Sequence, residues 1–266
     1  MFSRGDNREK ERIAAQKARL EAAGAKICLM ENPVTQISST QLRRMLVLDC
    51  ADAFLDPKVL NYIHQNGLYG TGRCYKALPM DDLQQVVTGL LKPERVAHVL
   101  GCRDTAVLLA KKWGANETDA ARAGLLHDIT KALDGPLQLT LCGKYNILLD
   151  SFSQRYPKTL HALTGSLVAK RIFGENEAVV SAICSHTTGK ADMNTLEKII
   201  YIADYMEPNR DFPGVEQLRH LAFTDLDEAL MLGLKMTLRL LNEQGSEVSP
   251  ASREALTWLE RKKIVC

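Results

Sequence analysis

Apolar residues recur every three or four positions through most of the second two-thirds of the chain, the spacing of amphipathic helices. Runs of Val and Ile bounded by turn residues, which are typical of strands, are missing there. The pattern predicts helices at Leu83–Leu91, Pro93–Trp113, Glu117–Leu133, Thr159–Phe173, Glu177–His186, Asn194–Met206, Val215–Leu221, Asp225–Gln244 and Pro250–Lys263. Gly114 and Gly174 stand where two of these helices are predicted to stop. Residues 80–266 are therefore expected to form an all-helical domain.

The first seventy residues show a different alternation of apolar and polar positions. Elements predicted there are a helix over Asn7–Ala23 ended by Gly24, a strand over Lys26–Met30 ended by Asn32-Pro33, a helix over Gln41–Leu46 capped from Ser38–Thr40, and a helix from Asp56-Pro57 to Gly67. A boundary is placed at about residues 70–80. The expected fold class is mainly α, with a small α/β fragment over residues 1–72 followed by the helical domain.

Composition narrows the function classes. The 266 residues are 45% hydrophobic and 25% charged, as in ordinary globular proteins, and the net charge of +2 is too small for a broad nucleic-acid-binding surface. Seven cysteines without a C-x-x-C pair favour a reducing compartment. No apolar run approaches the ~20 residues of a membrane span, and the first residues are too polar for a signal peptide. We expect a cytoplasmic protein with a small anionic ligand, and neither nucleic acid nor a membrane as partner.

Histidines and aspartates cluster in the predicted helical domain. His127-Asp128 ends an apolar stretch, and Asp204 lies inside the apolar run 198–206. Burying such groups is costly unless they are paired or bind a metal. Three more histidines of this domain lie beside acidic or hydroxyl-bearing residues: His98, His161 and His186. Their joint arrangement favours a metal site, whereas the two remaining histidines, His64 and His220, are interpreted as ordinary polar residues.

The types of donor atom in these side chains limit which metals the site can bind. Imidazole nitrogens with carboxylate oxygens suit iron, manganese, cobalt or zinc, and the cysteine spacing excludes an all-thiolate site.

The order His98, His127-Asp128, Asp204 resembles the H…HD…D pattern of the HD superfamily of metal-dependent phosphohydrolases. The sequence motifs around these residues are more specific. They are Leu125–Lys131 (LLHDITK), Leu160–Gly165 (LHALTG), His186–Gly189 (HTTG) and Glu197–Asp204 running into Glu207–Gly214 (EPNRDFPG). Over about residues 80–260 they are similar to the bacterial symmetrical bis(5'-nucleosyl)-tetraphosphatases of that superfamily, the YqeK type.

This resemblance implies an activity and a site. The family splits diadenosine tetraphosphate into two ADP with two metal ions, usually iron, and manganese or cobalt are alternatives. One ion would be held by His98, His127, Asp128 and Asp204, and the second by His161 and His186 with Asp128 bridging. Lys131 and Arg210 would face the phosphates as catalytic and substrate-binding residues beside Asp128. Thr187, Thr188 and Gly189 would approach the nucleotide, and domains of this kind are often homodimers.

Residues 1–70 resemble a different family. Ile37–Arg43 (ISSTQLR) and Pro57–Tyr69 (PKVLNYIHQNGLY) are similar to the C-terminal end of bacterial nicotinate-nucleotide adenylyltransferases. The glycine-rich loop and His-x-x-His motif that adenylyl transfer requires are absent from this chain. We therefore expect no unaided adenylyl transfer by residues 1–72, which could be a remnant of a fused gene, a truncation, or a dimerisation and docking piece.

Three alternatives to a tetraphosphatase are considered, and the first two stay open at this point. The HD site could act on mononucleotides, or it could bind a nucleotide as a regulatory module without turnover. The third alternative, an adenylyltransferase with an HD appendage, is disfavoured by the missing nucleotide motif.

Overall fold

The computed structural model describes residues 7–29 and 37–265, and within them every regular element is helical. The α-helices are α1 (Asn7–Ala22), α2 (Ser39–Val47), α3 (Pro57–Gln65), α4 (Met80–Leu90), α5 (Pro93–Trp113), α6 (Glu117–Leu126), α7 (Gly135–Lys144), α8 (Ser151–Arg155), α9 (Leu160–Val168), α10 (Glu177–Ser185), α11 (Thr195–Met206), α12 (Val215–Ala222), α13 (Leu226–Glu243) and α14 (Pro250–Val265). The predicted mainly α class is confirmed. No helix in this part of the chain is long and apolar enough to cross a membrane.

Helix starts follow the capping residues in the sequence. Ser38 caps α2 and Asn194 caps α11, each in a reciprocal box with the Gln or Glu three residues later. Asp56 accepts a hydrogen bond from the Lys58 amide at the start of α3. These side chains accept from the first amides of a helix, which lack partners within it, and this is why the helix starts were readable from the sequence.

The strand predicted at Lys26–Met30 is wrong over residues 26–29, which have no regular structure. Met30 and the predicted stop at Asn32-Pro33 lie outside the described residues. A strand needs a partner for its backbone hydrogen bonds, and the part of the chain that the structure describes offers none.

The helix predicted over Glu117–Leu133 ends earlier, at Leu126. Beyond it the amides of Ile129, Lys131 and Leu133 bond to carbonyls three residues back, which is the pattern of tight turns. Two helices after this turn, α7 and α8, were not predicted, although Asp134 caps α7 and Pro136 follows at its second position. His127 and Asp128 thus lie in a turn between α6 and α7.

The core that positions these turns is built from α5, α6, α10 and α11. Leu109, Leu125, Ile183 and Ile199, one from each helix, are fully buried. Burial of an aliphatic side chain of this size contributes roughly 1.5–3 kcal/mol, so the four helices are held firmly against one another.

The N-terminal segment packs on the same core. Met45 and Leu46 of α2 are buried in the cluster that contains the helical domain. Arg44 donates to the Leu91 carbonyl at 3.0 Å, and Lys144 pairs with Asp52 at 3.2 Å. A division into domains over 1–72 and 80–266 therefore stays a prediction, since side chains from both sides share one core.

Gly124 lets α5 and α6 approach closely. A Cβ atom at this position would lie 2.7 Å from Cα and 3.1 Å from N of Arg103, which are backbone atoms that cannot turn away. We expect Gly124→Ala to lower the free energy of unfolding by about 1–3 kcal/mol through overpacking. Gly89→Ala is the matched control, because a Cβ there meets nothing within 4 Å and should stabilise α4 by about 0.5–1 kcal/mol. Urea denaturation of both variants checks this, and equal stabilisation would contradict the close approach.

Candidate metal centre

Six side chains predicted as ligands converge at one end of this four-helix core. His98 lies on α5 and Asp204 on α11, while His127 and His186 follow the last residues of α6 and α10. The remaining two are Asp128, in the turn after α6, and His161, on α9. All but Asp204 are buried, and the Asp204 side chain is 20% exposed.

Each histidine is oriented through its Nδ1 atom. Nδ1–H of His127, His161 and His186 donates to the carbonyls of Gly124, Lys158 and Ile183 at 2.7–2.8 Å. A carbonyl only accepts, so these contacts fix the tautomer that leaves Nε2 unprotonated. The Nε2 lone pairs all face the cluster, which is the arrangement that orients histidine ligands around metals.

One group of donors surrounds His98. Its Nε2 lies 3.3 Å from Nε2 of His127 and 3.1 Å from Oδ1 of Asp204, and Oδ2 of Asp128 is 3.8 Å away. Nδ1–H of His98 donates to Oε1 of the buried Glu207 at 3.1 Å. This group matches the first predicted ligand set.

The second group lies on the other side of Asp128. Nε2 of His161 and Nε2 of His186 are 3.2 Å apart, and Oδ1 of Asp128 is 3.4 Å from the former and 3.8 Å from the latter. That oxygen is buried and has no hydrogen-bond partner. Two facing imidazole acceptors and an orphaned carboxylate oxygen are costly together unless a cation lies between them.

Burial controls the charges of these groups. It lowers the pKa values of His127, His161 and His186, which leaves their imidazoles neutral and able to donate lone pairs. Burial opposes ionisation of Asp204, but the guanidinium of Arg210 beside it helps to hold the pKa of this carboxyl well below its usual range. Neutral imidazoles and ionised carboxylates are a donor set suited to a divalent metal.

The predicted phosphate-facing cations lie at the edge of the cluster. Nζ of Lys131 is 2.9 Å from Nε2 of His161 and 3.9 Å from Oδ1 of Asp128. Burial lowers the pKa of Lys131 to about 8. Arg210 donates to Oδ1 and to the backbone carbonyl of Asp204 at 2.8 and 2.9 Å. Both cations are thus held beside the carboxylates of the candidate metal ligands.

The residues of the His186–Gly189 segment differ in how close they lie to the cluster. The Thr187 hydroxyl lies 3.1 Å from Nε2 of His161 and 3.2 Å from Nε2 of His186. Thr188 instead donates to the Gly189 carbonyl, and Gly189 packs near Ala255. Of these three residues, Thr187 is the one whose side chain contacts the histidines of the cluster.

Two residues of the cluster were not predicted from the sequence. Arg95 donates to Oδ2 of Asp128, and Glu207 holds His98. Arg95 stands three positions before His98 and so shares its helix face, and Glu207 opens the Glu-Pro-Asn-Arg segment. These two sequence positions do not by themselves indicate a site, because charged residues at such positions are usually solvated surface residues.

Two cavities open on the cluster, each at different ligand residues. The α13 cavity, of about 660 Å³, reaches His186 and Asp204 and is bounded by Tyr205, Arg210 and side chains of α13. The α2 cavity, of about 560 Å³, reaches His161 and is bounded by α2 and the loops after Lys131 and Pro157. Lys131 lines both. Each volume lies within the range of small-molecule sites, about 300–1,000 Å³.

Comparison with known proteins shows the family to which the chain is similar. Residues 95–209 match the HD domain. The symmetrical bis(5'-nucleosyl)-tetraphosphatase of Bacillus subtilis is 36% identical over 173 residues, which cover 64% of this chain and 91% of that protein. A Clostridium acetobutylicum crystal structure, described as a predicted HD superfamily hydrolase involved in NAD metabolism, has 36% identity and a TM-score of 0.68, covering 70% of this chain and 98% of that one.

A two-part relative is also similar to this chain. The probable nicotinate-nucleotide adenylyltransferase/Ap4A hydrolase of Mycoplasma pneumoniae is 35% identical over 187 residues, which cover 67% of this chain and 49% of that protein. The chain thus spans about half of a protein whose name joins the two families that its own segments resemble. With 91% of the Bacillus subtilis protein covered at 36% identity, the chain belongs to the family of HD-domain symmetrical bis(5'-nucleosyl)-tetraphosphatases.

Proposed function

We propose that this protein hydrolyses diadenosine tetraphosphate symmetrically into two ADP at two metal ions held by the histidine and aspartate cluster. The observation that carries this is the position of Asp128, whose two carboxylate oxygens face two separate pairs of imidazoles. A carboxylate placed in this way can bridge two ions. The assigned ligands are His98, His127 and Asp204 on one side and His161 and His186 on the other, and iron is the metal proposed, with manganese or cobalt able to replace it.

Bound ions would supply Lewis acidity, lowering the pKa of water and neutralising phosphoryl charge. A water oxygen forms a bond to one of the two inner phosphorus atoms, and the bond from that phosphorus to the oxygen shared with the other inner phosphorus breaks. One ADP leaves with the shared oxygen, the other ADP carries the water oxygen, and the protons of the water pass to solvent. The protein's own contribution is to hold the chain of phosphates in line and to stabilise charge on the leaving oxygen. Lys131 and Arg210 lie where they can do this, because both line the α13 cavity beside the cluster.

The α13 cavity also offers surfaces for an adenosine. Tyr201 and Tyr205 are stacked with ring planes 11° apart, and Phe212 meets Tyr205 edge to face. Aromatic faces of this kind bind bases by stacking, and the positive charge of the cavity comes from Lys131 and Arg210, since Arg239 is paired with Glu243 at 2.8 Å. A nucleoside diphosphate therefore fits the α13 cavity in charge and in character.

Compartment and assembly complete the proposal. The six described cysteines are free, which favours a reducing compartment, and we place the enzyme in the cytoplasm. A homodimer stays a prediction.

The test is product analysis with the metal-loaded enzyme. Diadenosine tetraphosphate is incubated in ¹⁸O-labelled water with iron or manganese under reducing conditions, and the nucleotides are separated by ion-exchange chromatography. We expect ADP as the sole product, with one labelled oxygen for every two ADP molecules. Chelation should abolish the reaction, and fresh metal should restore it.

Other products would contradict the proposal in distinct ways. ATP with AMP would exclude symmetrical cleavage, and turnover of mononucleotides alone would exclude the dinucleotide substrate. No turnover by protein with its full metal content would favour the regulatory-module alternative.

A further inference from the structure

The α2 cavity has a wall that the tetraphosphatase-like region does not supply. Ser38, Gln41 and Arg44 line it from the N-terminal segment, which lies before the region 80–260 that resembles those enzymes. Gln41 closes the rim by donating to Oδ2 of Asp134 at 3.3 Å. α2 therefore supplies one wall of the cavity.

The charge of this cavity suits a polyphosphate. Four cationic side chains line it, Arg44, Lys92, Lys131 and Lys158, against a single carboxylate, Asp134. That carboxylate is already occupied, since it accepts from the Leu137 amide as the cap of α7 and from Gln41. The excess of positive charge inside a concave site attracts anions and strengthens their hydrogen bonds.

Arg44 brings a cation from the N-terminal segment to this cavity. One of its terminal nitrogens donates to the Leu91 carbonyl at 3.0 Å, and this bond holds the guanidinium at the cavity wall. A guanidinium held in this way is suited to charge-assisted hydrogen bonds with phosphate oxygens.

The position of the α2 cavity beside the cluster indicates which part of a ligand it could hold. The α13 cavity meets the cluster at His186 and Asp204, the α2 cavity meets it at His161, and Lys131 lies on both. A symmetrical dinucleotide cleaved at the cluster has two equal halves, and two cavities that both adjoin the cluster can accept one half each. A single nucleotide would need only one of the two cavities.

We propose that the α2 cavity binds the second adenosine-diphosphate half of the substrate, so that the N-terminal segment forms part of the substrate site. This inference rests on the proposed function, and it assigns Arg44, Lys92 and Lys158 to phosphate binding. The helix N-terminus of α2 contributes little, because Ser38 and Gln41 already cap it.

The experiment counts ADP molecules bound to the metal-loaded enzyme by isothermal titration calorimetry. We expect two per chain in the natural protein. In the double variant Lys92→Gln/Lys158→Gln, one site should weaken by at least about tenfold, and KM for diadenosine tetraphosphate should rise by a similar factor with little change in kcat. Both lysines are exposed, so the variant should fold normally.

The matched control is Lys58→Gln/Lys111→Gln, which changes the charge equally at exposed positions outside both cavities. It should keep two ADP sites and an unchanged KM. Arg44→Met probes the N-terminal wall directly and should weaken the same site; the lysine variant decides the question if this one does not fold.

The outcomes separate this inference from the function on which it rests. Symmetrical hydrolysis by a protein that binds one ADP per chain, or an unaltered second site in the lysine variant, would overturn the α2 cavity assignment and leave the proposed function intact. Two ADP sites, one of them lost in the lysine variant, would support the assignment even if no hydrolysis is found.

Discussion

Replacing Asp128 by asparagine is expected to reduce hydrolysis of diadenosine tetraphosphate by at least roughly 10³-fold, a loss of several kcal/mol of transition-state stabilisation. The substitution keeps the shape of the side chain but removes its charge. Asp128 is 1% exposed, and its two oxygens face both pairs of histidines. An amide offers one neutral oxygen in their place, so it cannot bridge two cations. We expect kcat to fall and the metal content of the purified protein to fall with it.

The measurement pairs initial rates with metal analysis by atomic spectroscopy. Asp82→Asn is the control, because Asp82 is exposed in the first turn of α4 and far from the cluster in the chain. It should retain full activity and full metal content. An Asp128→Asn protein that keeps both its metal and its activity would contradict the assignment of Asp128 as the bridging ligand.

The helices and the clustering of the candidate ligands could be predicted from the sequence for the same physical reason. Each predicted ligand is polar within an apolar context, as His127 and Asp128 after Leu125-Leu126 and Asp204 within 198–206 show. Such residues are retained in a core only when something there compensates them. The spacing of the apolar residues also indicates where the helices lie, so one pattern predicts both the helix positions and the candidate ligands.

The contacts that shape the α2 cavity could not be predicted in this way. Arg44 and Lys158 are 114 positions apart and reach the same cavity only because α2 packs on the helical domain. Nothing in the local pattern around either residue specifies that packing. The early end of α6 at Leu126 depends on tertiary contacts as well, since Thr130 in the following turn bonds to the His161 carbonyl at 3.0 Å.

The strand predicted at Lys26–Met30 failed for a related reason. The segment does have an apolar composition typical of strands, but a strand forms only beside another strand. The region instead lies along α1, where Ile27 and Leu29 border the same groove as Ile13 and Leu20. Local propensity was outweighed by the absence of a pairing partner among the described residues.

Lys131→Met is expected to lower kcat for diadenosine tetraphosphate by about 10²–10³-fold, the usual effect of losing one donor to a developing negative charge. Lys131 lines both cavities, so in the proposed substrate complex its ammonium would lie between the two halves of the dinucleotide. Methionine keeps the apolar stem of the side chain and removes only the charged end. Because the ammonium acts on charge that grows during the reaction, kcat should fall more than KM rises.

Two comparisons distinguish this role from a structural one. Lys131→Arg keeps the positive charge and should recover part of kcat, whereas Lys111→Met, on the exposed end of α5, should leave the rate unchanged. Metal content should stay constant in all three variants, because Lys131 is not a ligand. A loss of metal in Lys131→Met, or a change confined to KM, would show that Lys131 supports the cluster or the ground-state complex instead of the transition state.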